Sequence, residues 1–180
     1  MVDLASPMSP IAPSDDVSPL MAVLQERWVL TLATAPRLAD ANTAEEAGYP
    51  YATPLFYAVA RGAPTLVFAS RPDTTHGRHL GAGPTPCAAG LYLESEDVSG
   101  LRGAQLRGLV APVELWPEDT ATGLREVYLE RHPGAAALLR PGARERLYGL
   151  AVTWAKLTDN RRGFGHKQTW TFAPPIWRTL

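Results

Sequence analysis

The fold is decided by one stretch of the chain, residues Thr65–Leu80, which reads T-L-V-F-A-S-R-P-D-T-T-H-G-R-H-L. Its first part is short, apolar and β-branched, and it predicts a buried strand that stops at Ser70. The next turn places hydroxyl and cationic side chains close together: Arg71, Thr74, Thr75, His76, Arg78 and His79. Such donors at the start of a short helix suit a phosphate. The alternative is a solvated capping turn, with Asp73 or Thr74 as the N-cap.

Size and composition limit the possible classes of protein. The 180 residues fit one domain with a real core; 46% are hydrophobic, 19% are charged, and the net charge is −1. This balance excludes a generally basic nucleic-acid binder and an acidic disordered chain. The single cysteine, Cys87, lies in an apolar run and is predicted to be a small buried hydrophobe. We expect a cytoplasmic protein without a signal peptide, a membrane span or a nucleic-acid partner.

Two polar segments stand out from the rest of the chain. Residues 1–16 are rich in Pro, Ser and Ala, and we expect a mobile tail because few large apolar side chains can offset its ordering entropy. Residues 17–180 are then one domain. Residues 36–50 are a polar, Ala-rich loop that is long for a hairpin, so it is either an insertion or a flap.

The rest of the chain alternates strands with a few helices. A helix should begin at Ser18-Pro19 and run to Trp28. Further helices are predicted over Pro117–Arg131 and Ala135–Arg140. The strands are predicted over Trp28–Ala35, Tyr51–Ala60, Leu66–Ser70, Cys87–Glu94, Leu101–Leu115 and Leu147–Leu157, followed by one more after a basic loop. This order predicts a mainly β, antiparallel (α+β) fold, a closed or split β-barrel with peripheral helices.

Two later stretches carry polar side chains with a pattern. In the long strand, Gln105 and Arg107 share one face and are flanked by Gly103 and Gly108, which fits a bulge or a close approach by a ligand. The alternative is an amphipathic strand that shows both side chains to water. Near the end, T-D-N-R-R-G-F-G-H-K-Q-T-W, residues 158–170, concentrates cations beside glycines, which suits an anion or a basic surface turn.

These pieces, in this order, resemble a known family. The matching segments are L-T-L-A-T-A from Leu30, P-Y-A-T-P-L-F-Y-A-V from Pro50, L-V-F-A-S-R-P-D-T-T-H from Leu66 and L-R-G-A-Q-L-R-G from Leu101. The chain is similar to the pyridoxamine 5′-phosphate oxidase-like flavin-binding split barrels, and its C-terminal segment, residues 158–170, resembles a YhbP-like bacterial subgroup. The resemblance implies an FMN-binding split β-barrel that forms a homodimer with the flavin in a groove between subunits.

The resemblance also implies roles for individual residues. The strand end and turn would hold the phosphate and ribityl chain, through Ser70, Arg71, Thr75 and His76. The isoalloxazine would be lined and closed by Thr53, Leu55, Gln105, Arg107, Lys167 and Trp170, and the last two can come from the other subunit. The turn departs from the family at one point, since Thr75 and His76 stand where the oxidases carry an Arg and a Lys.

Three functions remain open from the sequence. The first is an FMN-dependent oxidoreductase of unknown substrate, in which the flavin transfers a hydride or electrons. The second is a protein that binds a flavin, another nucleotide or a small anion without turnover. The third is a zinc enzyme that uses His76 and His79; no further ligand is evident nearby, and we predict no metal.

Overall fold

The computed structural model describes residues 16–36, 49–62 and 64–178. Most of the predicted tail and most of the 36–50 loop therefore lie outside the described residues. Asp16 is described, and it is tied to the domain: its carbonyl accepts a hydrogen bond from the Trp170 indole at 3.0 Å, and its carboxylate accepts one from the Ser18 amide at 2.9 Å. The last residue of the predicted tail is thus held by two hydrogen bonds.

Seven strands and three α-helices make up the regular structure of the described residues. The strands are β1 Val29–Thr34, β2 Tyr51–Val59, β3 Thr65–Ser70, β4 Thr85–Leu93, β5 Arg102–Pro112, β6 Arg146–Asp159 and β7 Lys167–Thr171. The helices are α1 Ser18–Glu26, α2 Thr75–Leu80 and α3 Glu118–Arg131. Short 3₁₀ turns cover Val98–Gly100, Val113–Leu115, Pro133–Leu138 and Asn160–Arg162. None of these helices is long and apolar enough to span a membrane.

The strands form one antiparallel sheet that closes on itself. The order is β3-β2-β1-β4-β5-β6-β7, and a further pairing of β3 with β6 closes a six-stranded barrel to which β7 is added. The prediction of an antiparallel barrel with peripheral helices is confirmed. Closure stabilises the fold because it leaves few unpaired strand edges.

The barrel is incomplete between β2 and β3. These strands pair only at Tyr57–Val59 with Leu66–Phe68, so the first half of β2 has β1 on one side and no ladder on the other. Pro54 lies in this half. Proline cannot donate a hydrogen bond to a ladder and is found in sheets at edges and bulges, so this interrupted part of β2 can accept it.

The core fills the barrel and continues beneath α3. Helix α1 contributes Leu20 and Leu24 to the main core, and β6 contributes Leu150 and Leu157. A second apolar cluster packs α3 on the outside of β3 and β6. Cys87 is buried in the main core as predicted, and its burial raises the pKa of the thiol to about 12.

The long β5 strand is shorter than predicted and carries the predicted bulge. It ends at Pro112, and Val113–Leu115 form a 3₁₀ turn instead of continuing the strand. The pairing with β6 shifts register between Arg107 and Gly108. At Gly108 an added Cβ would lie 2.0 Å from the Ala151 carbonyl oxygen, so the bulge depends on glycine.

Candidate functional site

The β3 strand ends in a polar turn that leads into α2. Ser70 is its last residue and is buried. Thr74 is the N-cap of α2, since its hydroxyl oxygen accepts a hydrogen bond from the Gly77 amide at 3.1 Å. Thr74 is therefore a capping residue, as one of the two predictions for this turn had it. Gly81 ends the helix with φ 61, a conformation that favours glycine.

A compact cluster of polar side chains forms around His76. The imidazole is only 8% exposed. Its Nε2 lies 2.5 Å from Ser70 Oγ and 3.3 Å from Thr74 Oγ1, and the two hydroxyl oxygens are 3.4 Å apart. We call these three side chains the Ser70 cluster. The other ring nitrogen of His76, Nδ1, is buried and has no hydrogen-bond partner, so the cluster contains one unpaired polar atom.

Burial determines the charge of His76. Desolvation lowers the pKa of the imidazole below its usual value, and the neighbouring His79 lowers it further. The neutral form therefore dominates at pH 7. A neutral imidazole offers one donor and one acceptor, so His76 can position an anion by hydrogen bonding and adds no positive charge there.

The aromatic ring of Tyr51 faces the cluster from the first half of β2, the half that does not pair with β3. The Tyr51 ring stacks on His76 with a centroid distance of 6.3 Å and an interplanar angle of 12°. The same ring meets the edge of His79 at 6.2 Å. His79 is buried and its Nδ1 lies 3.0 Å from Thr34 Oγ1 at the end of β1. Strand ends from β1, β2 and β3 thus converge on α2.

The cationic side chains of the turn are engaged within the turn. Arg71 donates from Nε to the Asp73 carboxylate at 2.9 Å and from Nη2 to its second oxygen. Arg78 donates from Nη1 to the Asp73 carbonyl at 2.8 Å and from Nη2 to Thr75 Oγ1 at 3.4 Å. Arg71 and Thr75, two of the predicted phosphate ligands, therefore already have partners.

The structure places the other predicted ligands on two opposite faces of the sheet. Thr53 and Leu55 pair with the buried Leu32 and Leu30, so they lie on the inner face, on the side of the Ser70 cluster. Gln105 and the exposed Arg107 belong to the outer face. One chain therefore does not bring these two pairs together.

A depression of about 320 Å³ lies on the outer face. Gly90 and Gly103 form part of its floor, and Gln105, Tyr92 and Thr31 stand around them. A Cβ at Gly90 would meet nothing within 4 Å. The packing of this chain therefore does not require a glycine at this position, and its absent side chain leaves the depression open.

Lys167 and Trp170, predicted to close the site, separate in the structure. Lys167 begins β7 opposite Thr158, on the same outer face as Gly103. Trp170 is 2% exposed and packs into the main core. Its ring is not on an open surface of this chain, because the inward position opposite Ala155 places it inside the barrel.

Sequence reasoning missed Tyr51 and Thr34. Both lie at strand ends next to the undescribed 37–48 segment, where alternation alone does not show which residues meet α2. One signal for them was available in the sequence. His76 and His79 are three residues apart and so lie on the same face of a helical turn, and two buried imidazoles on one face require polar or aromatic neighbours.

The zinc alternative finds no third ligand in the described part of the chain. No group of three or more His, Cys, Asp or Glu side chains there is arranged to hold a metal ion.

Solved structures with the same fold define the class of protein. A heme-binding protein from Mycobacterium smegmatis is similar with a TM-score of 0.66 and 20% identity, over 89% of this chain and 60% of that one. A pyridoxamine 5′-phosphate oxidase-related, FMN-binding protein from Nostoc punctiforme gives 0.56 and 12%, over 89% and 98%. HutZ, a heme storage protein from Vibrio cholerae, gives 0.55 and 16%, over 76% and 89%. The chain is a split-barrel protein of the pyridoxamine 5′-phosphate oxidase-like fold.

Sequence relatives name the family within this class. No family model matches the chain. A UPF0306 protein of Cronobacter sakazakii is 30% identical over 115 residues, which cover 64% of this chain and 74% of the relative. The UPF0306 protein YhbP of Salmonella schwarzengrund is 30% identical over 98 residues, 54% of this chain and only 61% of the relative's length. The chain belongs to the UPF0306 family.

Proposed function

We propose that this protein binds FMN at the gap between β2 and β3 and is an oxidoreductase of unknown substrate. The observation that carries the proposal is the Ser70 cluster, in which Nε2 of a buried imidazole lies within hydrogen-bond distance of two hydroxyl groups while Nδ1 of the same ring has no partner. Buried polar atoms without partners are uncommon in a folded protein and are a cost unless a ligand satisfies them. The similarity to an FMN-binding split barrel supports the choice of ligand.

The residues at this gap fit a flavin mononucleotide in kind. Ser70, Thr74 and His76 offer hydrogen bonds to phosphate or ribityl oxygens, and Arg71 offers a guanidinium at the edge of the same turn. Thr53 and Leu55 supply a half-buried apolar and hydroxyl surface for a flat ring. A bound flavin would supply hydride or electron transfer. The chain's own residues would position it and exclude water.

A complete site requires a second copy of the chain. Gln105, Arg107 and Lys167 lie on the outer face, away from the Ser70 cluster. If they contribute to the same site, they come from a partner subunit whose outer face covers the groove. We therefore propose a homodimer with two shared sites. Trp170 is not among the ligands we propose, because its ring is in the core.

The proposal is tested by titrating FMN into the purified protein and following the quenching of flavin fluorescence. His76→Ala and Lys167→Ala should each weaken binding about tenfold, the scale of one lost hydrogen bond or charge contact. Arg140→Ala is the control, since it removes an exposed cation outside both groups of residues. Unfolding curves of each variant show that the loss is not one of folding. A parent protein that binds no FMN would reject the proposal.

The second candidate is a binding protein without turnover. It is favoured by the similarity to heme-binding and heme storage proteins of the same fold. Titration with hemin, read from its Soret absorbance, tests the alternative ligand on the same sample. If FMN binds, reduction of the bound flavin by a reduced nicotinamide under anaerobic conditions supports the oxidoreductase, and no reduction by any of several donors supports the carrier.

A further inference from the structure

The guanidinium next to the Ser70 cluster is already bound by a carboxylate from its own turn. Arg71 makes two parallel hydrogen bonds to Asp73, one from Nε at 2.9 Å and one from Nη2. This two-bond arrangement is the one in which a guanidinium binds a phosphate group. Asp73 therefore occupies the side of Arg71 that an anionic ligand would use.

Asp73 also holds the second arginine of the turn through its backbone. Its carbonyl accepts a hydrogen bond from Arg78 Nη1 at 2.8 Å, while Arg78 Nη2 lies 3.4 Å from Thr75 Oγ1. Both arginines are thus drawn toward residue 73. By contrast, the Ser70 cluster in the interior consists of hydroxyls and an imidazole whose pKa is lowered by burial.

The ion pair between Arg71 and Asp73 is accessible and easy to exchange. The two side chains are 39% and 62% exposed. Exposed pairs of this kind contribute little to stability, because water competes for both partners. The pair is therefore poorly explained as a stabilising contact.

We propose that Asp73 is a specificity-determining residue that competes with the ligand's phosphate for Arg71. The inference rests on the proposed flavin site. The competition reduces the advantage of a dianionic phosphate over an uncharged ligand with the same ring. The site then depends more on the ring and the Ser70 cluster, and it discriminates less between FMN and riboflavin than a turn with a free arginine.

The test compares FMN with riboflavin, which differ only in the phosphate, at about 0.15 M salt, where exposed charges farther apart than roughly 8 Å are screened. Asp73→Asn should tighten FMN binding about three- to tenfold and leave riboflavin binding within twofold. The control is Glu130→Gln, which removes the same charge from another exposed arginine pair, Arg61 with Glu130 at 2.8 Å, and should change neither affinity.

A double substitution separates competition from a new contact made by the introduced amide. In an Arg71→Ala background, Asp73→Asn should change FMN affinity less than twofold, because no guanidinium remains to be released. An equal gain in both backgrounds would overturn the inference, as would unchanged or weaker FMN binding by Asp73→Asn alone.

The outcome is distinct from a failure of the proposed function. If the parent and Asp73→Asn bind neither flavin, FMN binding is wrong, and the competition is then tested with inorganic phosphate by thermal unfolding. A phosphate-dependent rise in Tm that is larger in Asp73→Asn than in the parent, and absent from the double variant, supports competition for Arg71. No difference between the variants rejects it.

Discussion

At the scale of single residues, the histidine in the Ser70 cluster links the charge of the site to the stability of the fold. The pKa of His76 is lowered in the folded state by desolvation and by His79, so the unfolded chain binds more protons below pH 6.5, the usual value. The free energy of unfolding therefore has its full value above that pH and decreases as the pH falls through the folded pKa.

We predict that His76→Gln flattens this dependence. Urea unfolding at several values between pH 7.5 and 5 should show a smaller decrease in the variant, with a difference in slope of at most about 1.4 kcal/mol per pH unit, the value for one proton. Slopes are compared because the substitution also changes packing. Equal slopes in parent and variant would show that another group titrates in this range.

A second prediction at this scale concerns the reactivity of the Cys87 thiol. Its thiol is buried in the core and its pKa is raised to about 12, so almost no thiolate is present at pH 8. A maleimide should label the folded protein only at the rate of unfolding, and rapidly in urea. Fast labelling without urea, at a rate that rises with reagent concentration, would mean that the core opens locally at β4.

At the scale of elements, the packing of β5 against β6 at the bulge depends on a single glycine, Gly108. Gly108→Ala would place a methyl group 2.0 Å from the Ala151 carbonyl oxygen, so we expect a loss of about 1–3 kcal/mol or more in the free energy of unfolding. Gly123→Ala is the matched control, because nothing lies within 4 Å of its Cβ in the interior of α3.

The control should move in the opposite direction. Alanine is favoured over glycine in a helix interior by about 0.5–1 kcal/mol, so Gly123→Ala should raise the urea midpoint. A Gly108→Ala variant as stable as the parent would show that β5 and β6 can separate at the bulge at little cost.

Sequence patterns predicted the elements better than they predicted the site. Alternation located the six barrel strands, and the glycines flanking Gln105 and Arg107 indicated the bulge, because these signals are local. The sequence predicted a closed or split barrel, whereas the pairing of β3 with β6 that closes it is seen only in the structure. The meeting of Tyr51 with α2 depends on where β2 leaves β3, and no local pattern encodes that distance.

The same limit explains why the sequence did not show that Trp170 is buried. The family resemblance implied that Trp170 closes the flavin site, but it is an inward residue of β7 and its indole is buried in the core. Gln105 and Arg107 were correctly predicted to share a face. That this face is turned away from Ser70 becomes evident only when the barrel closes.

At the scale of the whole molecule, the two groups of proposed ligands lie on opposite faces, so a site shared between them depends on the homodimer that we propose. The outer face presents the depression at Gly90. The Ser70 cluster lies on the inner face, and the ladder between β2 and β3 is interrupted at the gap in the barrel. A homodimer in which each outer face covers the partner's gap would unite them. The dimer and the shared flavin site should then be lost together when the outer face is altered.

We predict that Gly90→Arg produces a folded monomer that no longer binds FMN. Nothing lies within 4 Å of the position of its Cβ, so the barrel should accommodate the side chain, whereas a charge placed in the covered depression costs several kcal/mol when buried without a partner. Gly134→Arg makes the same change at another open glycine, in the Pro133–Leu138 turn, and should keep both properties. Light scattering gives the mass, and flavin quenching gives the affinity. A Gly90→Arg monomer that still binds FMN with the parent's affinity would show that one chain holds the flavin unaided, and Gln105, Arg107 and Lys167 would then have no part in the site.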